Sequence, residues 1–304
     1  MNLSTDHLTS EQQNERTRHI DKMSAEQILR LINAEDRLVP GAVEACIPDI
    51  ALAVEAVVRS FKMGGRLLYF GAGTSGRLGI LDASECPPTY GTDPDQVVGV
   101  IAGGERAIRH PVEGYEDSEE LGRSEADDMN VGPIDVVVGI AASGRTPYVI
   151  GVMKRARELG ATVVGISNNS PSAMDEAASI MIEAVVGPEV VLGSTRMKAG
   201  TAQKLILNML TTASMILSGK VYDNLMVDMQ SSNQKLVDRG KRLISLATGA
   251  DEDTIETAYR ESDAHVKTAI VMILLGVGAE EARSLLRQAD GFVRKAIELY
   301  RSPA

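Results

Sequence analysis

Five short apolar runs rich in β-branched residues constrain the fold of this chain more than any other feature. They are Leu67–Phe70, Val97–Ile101, Val136–Ile140, Thr162–Ile166 and Ile180–Ile182. Near-continuous hydrophobic strands that alternate with helices are typical of a parallel sheet covered on both faces. The pattern therefore predicts an α/β fold, a three-layer αβα sandwich around a parallel sheet. The intervening helices are expected at about 75–84, 117–129, 147–159, 171–178 and 201–218.

The segment before the first strand differs in composition and periodicity. Its first ~20 residues are polar and lack periodicity, which is typical of a mobile arm or of a tail that contacts a partner. Ser24 and Gln27 then form a capping box that begins a helix. A second helical stretch is predicted from about Gly41 to Lys62, with Pro48 breaking or restarting it.

The segment after Asn233 contains helical patterns only, with breaks at Thr248-Gly249 and at Gly276–Gly278. It predicts a small helical C-terminal domain. The expected organisation is an N-terminal arm with helices (1–56), a domain that contains the sheet (57–233) and the helical domain (234–304).

The charge balance excludes one class of partner. With 42 Asp+Glu against 31 Lys+Arg the formal net charge is −11, whereas nucleic acids and anionic membranes attract positive surfaces. Trp is absent and aromatic residues make up only 3% of the chain, so any carbohydrate is expected to be held by hydrogen bonds and charge. The stretch from Leu205 to Leu217 is too short to span a bilayer, and the N-terminus lacks an apolar signal segment. We therefore expect a cytoplasmic protein.

Metal and cofactor sites are not predicted. The four histidines do not pair with one another or with carboxylates at ligand spacing, and Cys46 and Cys86 do not lie in a Cys-x-x-Cys motif. No P-loop or nucleophile elbow occurs.

A glycine-rich motif follows the first predicted strand. Residues 71–76 match G-x-G-x-x-G, which suggests a dinucleotide site. Two observations weaken that interpretation. Cys86-Pro87-Pro88 is expected to end the following helix early, and no acidic residue closes the next strand, which continues instead into Ala102-Gly103-Gly104.

The loop recurs after the third predicted strand, where Ser143-Gly144-Arg145 repeats the pattern of Ser75-Gly76-Arg77. Hydroxyls, backbone N–H groups and a helix N-terminus together form a cradle for a phosphate. Tight strand-to-helix turns alone would also explain the loops. The candidate phosphate- and sugar-binding residues are Gly73, Thr74, Ser75, Gly76, Arg77, Ser143, Gly144, Arg145 and Thr146. Arg196 and Lys198, before the helix predicted at 201–218, either complete this anion pocket or belong to a segment that caps the helix.

Carboxylates are the remaining candidates for proton transfer in a catalytic site. Glu85 follows the first glycine loop, and Glu113 and Glu116 follow the second strand, so all three can face the carboxyl edge of the sheet. Solvated surface carboxylates are the alternative, because the chain has many acidic residues.

These segments resemble the sugar-isomerase (SIS) domain of N-acetylmuramic acid 6-phosphate etherases. The similarity is carried by residues 71–79, 81–89, 101–105, 110–114, 139–148, 194–204 and 224–228. It runs from about Ile28 to Ala247 and more loosely to the end of the chain, and it lapses in the N-terminal arm.

The resemblance implies a lyase that cleaves the D-lactyl ether of N-acetylmuramate 6-phosphate in cell-wall amino sugar catabolism or recycling. It implies that no cofactor is needed, that the phosphorylated amino sugar is the partner and that the protein is a homodimer. Glu85 matches the acid that protonates the departing lactate, and Glu116 matches the second catalytic glutamate, which is expected to take the proton from C2. Two other functions stay open on this scaffold: an aldose–ketose isomerase for a phosphosugar, and a non-catalytic sugar-phosphate sensor.

Overall fold

The structure, a computed structural model, describes residues 8–229 and 233–302. The chain divides into two compact units. The first comprises Met1–Ser84 and Asp95–Thr211, and the second comprises Glu85–Pro94 and Thr212–Ala304.

The first unit is built around a five-stranded parallel sheet. Its strands are β1 (Leu67–Gly71), β2 (Val97–Ile101), β3 (Val136–Ala141), β4 (Thr162–Ser167) and β5 (Ile180–Glu183). Their order is β2-β1-β3-β4-β5, and all neighbours run parallel. The predicted strands and the parallel sheet are confirmed.

Helices cover both faces of this sheet. They are α1 (Ala25–Asp36), α2 (Val39–Glu44), α3 (Ile47–Lys62), α4 (Gly73–Tyr90), α5 (Gly104–Arg109), α6 (Glu119–Asp128), α7 (Pro147–Glu158) and α8 (Lys198–Leu217), of which α4 and α8 contribute to both units. Leu68 and Phe70 share one buried cluster with α7. Tyr69, whose side chain alternates to the other face, packs against Gly79 of α4. The predicted three-layer arrangement follows from this alternation.

The prediction of a mobile N-terminal arm is wrong for the residues from 8 onward, and residues 1–7 lie outside the described part. Ser10, Asn14 and Thr17 are buried although they are polar, because each has a partner far along the chain. The Ser10 backbone N–H donates to Asn169 (3.2 Å), and the Thr17 hydroxyl donates to the Val190 carbonyl (2.9 Å). Because these polar residues are buried through hydrogen bonds to distant residues, the segment shows no hydrophobic periodicity from which its packing could be predicted.

Two helix predictions need correction. Helix α4 continues through Pro87 and Pro88 to Tyr90, although each proline lacks the N–H that would donate within the helix. The Gly91 N–H closes the last turn on the Pro87 carbonyl (2.9 Å). Residues 171–178 form turns and no helix. The capping box of Ser24 and the restart of the helix at Pro48 are confirmed.

Five further helices belong to the second unit. They are α9 (Gln234–Thr248), α10 (Glu252–Glu261), α11 (Val266–Leu275), α12 (Ala279–Gln288) and α13 (Val293–Arg301). Asn233 caps α9, and the predicted breaks occur where Gly249 and Gly276 adopt left-handed backbone at the ends of α9 and α11. Within the described ranges, no helix combines the length and apolarity needed to cross a membrane.

A charged cluster ties the loop before α9 to α11. The Asp228 carboxylate lies 2.7 Å from the Lys267 ammonium, 3.1 Å from Lys220 and 3.4 Å from His265. Burial opposes ionisation of Asp228, but the hydrogen bond from His265 and the charges of Lys267 and Lys220 lower its pKa to about 2.

We expect Asp228→Asn to lower the free energy of unfolding by about 2 kcal/mol or more at pH 7, because it also leaves Lys267 buried without its counter-ion. The depressed pKa means that the carboxylate stabilises the fold fully above its ordinary pKa of 3.8 and loses that effect as the pH falls towards 2. The difference between wild type and variant should therefore shrink by about half between pH 7 and pH 3. Urea unfolding followed by circular dichroism, at pH 7 and at pH 3, measures this difference in free energy of unfolding.

Asp223→Asn is the matched control. Asp223 and its partner Arg294 are both largely exposed and 3.9 Å apart, so this change should alter stability by less than about 0.5 kcal/mol. A difference at Asp228 that is independent of pH would contradict the electrostatic explanation.

Candidate active site

The two Ser-Gly loops follow neighbouring strands at the carboxyl edge of the sheet. β1 leads into the first loop and β3 into the second, and these two strands are neighbours in the middle of the sheet order. The chain runs from β1 to β2 on one side and continues with β3 on the other, so the order reverses beside β1. In open α/β sheets ligands bind in the crevice at such a reversal.

The glycines of the first loop allow α4 to touch the sheet with its backbone. A Cβ atom on Gly76 would lie 2.6 Å from the Gly71 carbonyl oxygen, and a Cβ atom on Gly99 of β2 would lie 2.6 Å from the Ile80 Cα. Gly73 begins α4 with a φ of +54°, in the region that favours glycine. The G-x-G-x-x-G pattern thus has a packing explanation that needs no dinucleotide.

The side chains of this loop have partners within the first unit. Ser75 is buried, and its hydroxyl donates to the Gln203 side chain (2.9 Å). The Arg77 guanidinium donates to the carbonyls of Ala107 (2.8 Å) and Ile108 (2.9 Å) at the end of α5. Thr74 is half-buried. Arg77 therefore holds the segment that follows α5.

The second loop leaves more of its polar groups available. Ser143 and Thr146 are half-buried, and the Ser143 hydroxyl accepts a 3.3 Å bond from the Arg145 backbone N–H. Thr146 precedes α7 but makes no side-chain capping bond. In Arg145 one terminal nitrogen, Nη1, is buried and has no hydrogen-bond partner among residues 8–229 and 233–302. The Gly144 carbonyl accepts from Ser172 (3.1 Å) and φ at Gly144 is +67°.

Glu116 is tied to this second loop through its backbone. The Tyr148 N–H, in the first turn of α7, donates to the Glu116 carbonyl (3.0 Å), while the Glu116 side chain is exposed. The Tyr148 ring is buried, and its hydroxyl donates to Glu125 of α6. Burial and the neighbouring Glu125 charge raise the pKa of Tyr148, so the hydroxyl keeps its proton.

A cavity of about 120 Å³ lies between the first loop and the segment that carries Glu116. It is lined by Ala72, Gly73, Arg77, Ala102, Ala107, Pro111, Val112, Glu113 and Glu116. Of the predicted site residues, the cavity brings Gly73, Arg77 and Glu116 together. Its apolar wall, formed by Ala102, Ala107 and Val112, was missed by sequence analysis because small apolar residues in loops carry no periodic signal.

Glu85 lies on α4 and belongs to the second unit, where its side chain is exposed. One turn earlier, Asp82 is buried and accepts hydrogen bonds from Tyr69 (3.0 Å) and Asn208 (2.7 Å). Burial raises the pKa of Asp82 despite these hydrogen bonds. Asp82 thus joins β1, α4 and α8 within the first unit.

Lys198 and Arg196 occupy different environments. Lys198 is only 1% exposed, and its ammonium contacts the buried Glu35 carboxylate at 2.8 Å. Burial opposes ionisation of Glu35, but the hydrogen bond from Lys198 and the charges of Lys198 and Arg16 lower its pKa. Arg196 is exposed. The structure therefore does not bring Lys198 to the cavity, and a role in anion binding stays a prediction for both cations.

A resident metal ion has no candidate site in the described ranges, because they contain no group of three or more His, Cys, Asp or Glu side chains that could hold one.

The chain matches two protein-family models. Residues 49–157 match the glucokinase regulatory protein N-terminal SIS domain, and residues 112–213 match the SIS domain. A solved phosphoheptose isomerase from Francisella tularensis is 17% identical, with a TM-score of 0.47 over 64% of this chain and 100% of that one.

Curated relatives match over almost the whole chain. An N-acetylmuramic acid 6-phosphate etherase from Photorhabdus laumondii subsp. laumondii is 54% identical over 99% of this chain and 100% of its own. One from Caldanaerobacter subterraneus subsp. tengcongensis is 52% identical over 98% of this chain and 97% of its own.

The parallel sheet, the paired Ser-Gly loops and the domain matches define a protein of the SIS-domain class. At this identity and coverage the class can be narrowed: the chain belongs to the N-acetylmuramic acid 6-phosphate etherase family.

We expect Arg77→Met to lower the free energy of unfolding by about 1–3 kcal/mol, because it removes two hydrogen bonds from a charged donor. The change should also speed amide hydrogen exchange in α5 and in residues 109–112. Urea unfolding and hydrogen-exchange mass spectrometry measure these effects. Arg106→Met, at an exposed position of α5, is the control and should leave both nearly unchanged. Unaltered exchange in Arg77→Met would mean that this arginine does not hold the segment.

Proposed function

We propose that this chain cleaves the D-lactyl ether of N-acetylmuramate 6-phosphate, giving N-acetylglucosamine 6-phosphate and D-lactate. The observation that carries the proposal is the 54% identity to a named etherase over 99% of the chain. A cavity lined by Glu116 at the carboxyl edge of the sheet supports it. The reaction belongs to carbohydrate metabolism, in the catabolism or recycling of cell-wall amino sugars.

The first half of the reaction is an elimination. In the open-chain sugar the C1 aldehyde acidifies the proton on C2, and the Glu116 carboxylate takes that proton. The C3–O bond then breaks, its electron pair leaves with the lactate oxygen, and Glu85 donates the proton that this oxygen needs. An α,β-unsaturated aldehyde and a protonated Glu116 remain.

The second half is a hydration. Glu85, now a carboxylate, takes a proton from water while the oxygen adds to C3, and Glu116 returns its proton to C2. Both glutamates end in their starting protonation states, so the cycle is balanced without an added acid, base or oxidant. The exposed position of both side chains is consistent with proton exchange with solvent between turnovers.

The 6-phosphate is assigned to the second Ser-Gly loop. The Ser143 and Thr146 hydroxyls, the unpartnered Arg145 nitrogen and the N-terminus of α7 are donors or positive charges that suit a phosphate. The first loop would contribute backbone N–H groups at Gly73 and Thr74, since the side chains of Ser75 and Arg77 have other partners.

The setting of the enzyme is also a proposal. We place the sugar-phosphate domain at 57–233 and a small helical domain at 234–304. We infer a homodimer in the cytoplasm that acts on a small phosphorylated amino sugar without a cofactor. Size-exclusion chromatography with light scattering measures the oligomeric state.

We expect Glu85→Gln and Glu116→Gln to separate the two proton transfers. Glu85→Gln should lower lactate release by about 10²–10⁴-fold while C2 still exchanges its proton with deuterated water. Glu116→Gln should abolish both. General acid–base groups contribute about 10²–10⁴-fold, which sets the expected size of each loss. An enzymatic lactate assay and NMR of the C2 position measure the two steps.

Glu105→Gln, an exposed position on α5, is the matched control and should keep full activity. If the wild-type protein released no lactate but converted another sugar phosphate to its ketose, the etherase proposal would be wrong. If Glu85→Gln kept full activity, the assignment of Glu85 would fail while the reaction itself stood.

We expect Ser143→Ala to raise KM for the phosphorylated substrate about tenfold or more with little change in kcat. A hydrogen bond to a charged group contributes about 1.5–3 kcal/mol, and this one would be made in both the ground and transition states. Steady-state kinetics measure the effect, with Ser124→Ala as the control at an exposed serine. An unchanged KM would contradict the phosphate assignment.

A further inference from the structure

The cavity beside Glu116 has an apolar wall that the proton transfers do not use. Ala102 and Ala107 are 5% and 4% exposed, and they line the cavity together with the half-buried Val112. The Val112 and Ala107 side chains lie near each other, since a Cβ atom placed on Gly103 would be 3.2 Å from the Val112 Cβ and 3.4 Å from the Ala107 Cβ. Such a wall suits a methyl group.

The cavity has room for a small group. Its volume is about 120 Å³, whereas a single water molecule needs about 10–15 Å³ of such space. A short substituent of the sugar fits into it.

The charges around the cavity favour a neutral group. Glu113 and Glu116 contribute two carboxylates, and Arg77, the cation of the lining, directs its Nε and Nη2 donors to backbone carbonyls. The lactyl carboxylate and the 6-phosphate are anions, and like charges at this range repel. Of the substituents on the sugar, the acetamido group combines neutrality with a methyl end and an N–H donor.

The chemistry places that same group beside Glu116. The carbon that loses its proton to Glu116 is C2, and C2 also bears the acetamido nitrogen. If Glu116 reaches the C2 proton from the wall of the cavity, the acetamido group, which is bonded to the same carbon, also lies close to this carboxylate.

We propose that this cavity is the acyl-recognition subsite of the enzyme, and this inference rests on the etherase function proposed above. The acetamido methyl packs against Ala107 and Val112, and its N–H donates to the Glu113 carboxylate. Val112 sets the length of acyl group that the enzyme accepts.

The test compares two substrates that differ by one methylene, N-acetyl- and N-propionylmuramate 6-phosphate, with the full-length protein. The readout is the ratio of kcat/KM for propionyl over acetyl, from lactate release. Val112→Ala enlarges the cavity and should raise the ratio about tenfold, whereas Val112→Ile shrinks it and should lower the ratio similarly. The second variant keeps the test decisive if the first does not fold.

Val131→Ala is the matched control, because it makes the same truncation at a residue that is buried in the first unit and does not line the cavity. Its ratio should equal that of the wild type. An equal shift in this control, or an unchanged ratio in both Val112 variants, would overturn the subsite.

A third substrate, with a glycolyl in place of the lactyl ether, tests the other occupant. If the Val112 variants changed the preference between lactyl and glycolyl ethers and left the acyl preference unchanged, the cavity would hold the leaving group and the inference would be wrong. Failure of the wild type to release lactate from the N-acetyl substrate would instead refute the etherase function.

Discussion

The contact between the backbone of α4 and the sheet is the constraint on which the site depends. Gly76 touches the Gly71 carbonyl and Gly99 touches α4 at Ile80, with no room for a side chain at either glycine. This contact fixes the start of α4 at the carboxyl edge of β1. Arg77, one residue after Gly76, then reaches the end of α5 and orders the segment that leads to Glu116. The close packing at Gly76 thus helps to position a segment more than thirty residues further along the chain.

The sheet, the capped helix at Ser24 and the glycine breaks between the C-terminal helices could be predicted from the sequence, because each depends on local patterns of hydrophobicity or backbone freedom. The positions of the two Ser-Gly loops after their strands could be predicted as well. The partners of polar side chains were beyond its reach: Ser75 pairs with Gln203, and Lys198 pairs with Glu35. These pairings join residues 128 and 163 positions apart, and periodicity contains no information about them.

Two lysines that are buried in the described residues each face a carboxylate. Lys198 faces Glu35 in the first unit, and Lys267 faces Asp228 in the second. Each contact joins a helix to a distant segment, and removal of the carboxylate would leave a buried ammonium without its counter-ion. Arg145 differs, because one of its nitrogens is buried without a partner among the described residues. A net charge of −11 is therefore compatible with an anion site, since local potential depends on which cations stay unneutralised.

The hydrogen bond from the Tyr148 N–H to the Glu116 carbonyl joins main-chain atoms only. This hydrogen bond helps to set the distance between the proposed base, Glu116, and the proposed phosphate site at the start of α7. It does so without any side chain that is proposed to contact the substrate. Side chains in the segment of Glu116 or in the second Ser-Gly loop can therefore be substituted during evolution while this main-chain hydrogen bond is kept.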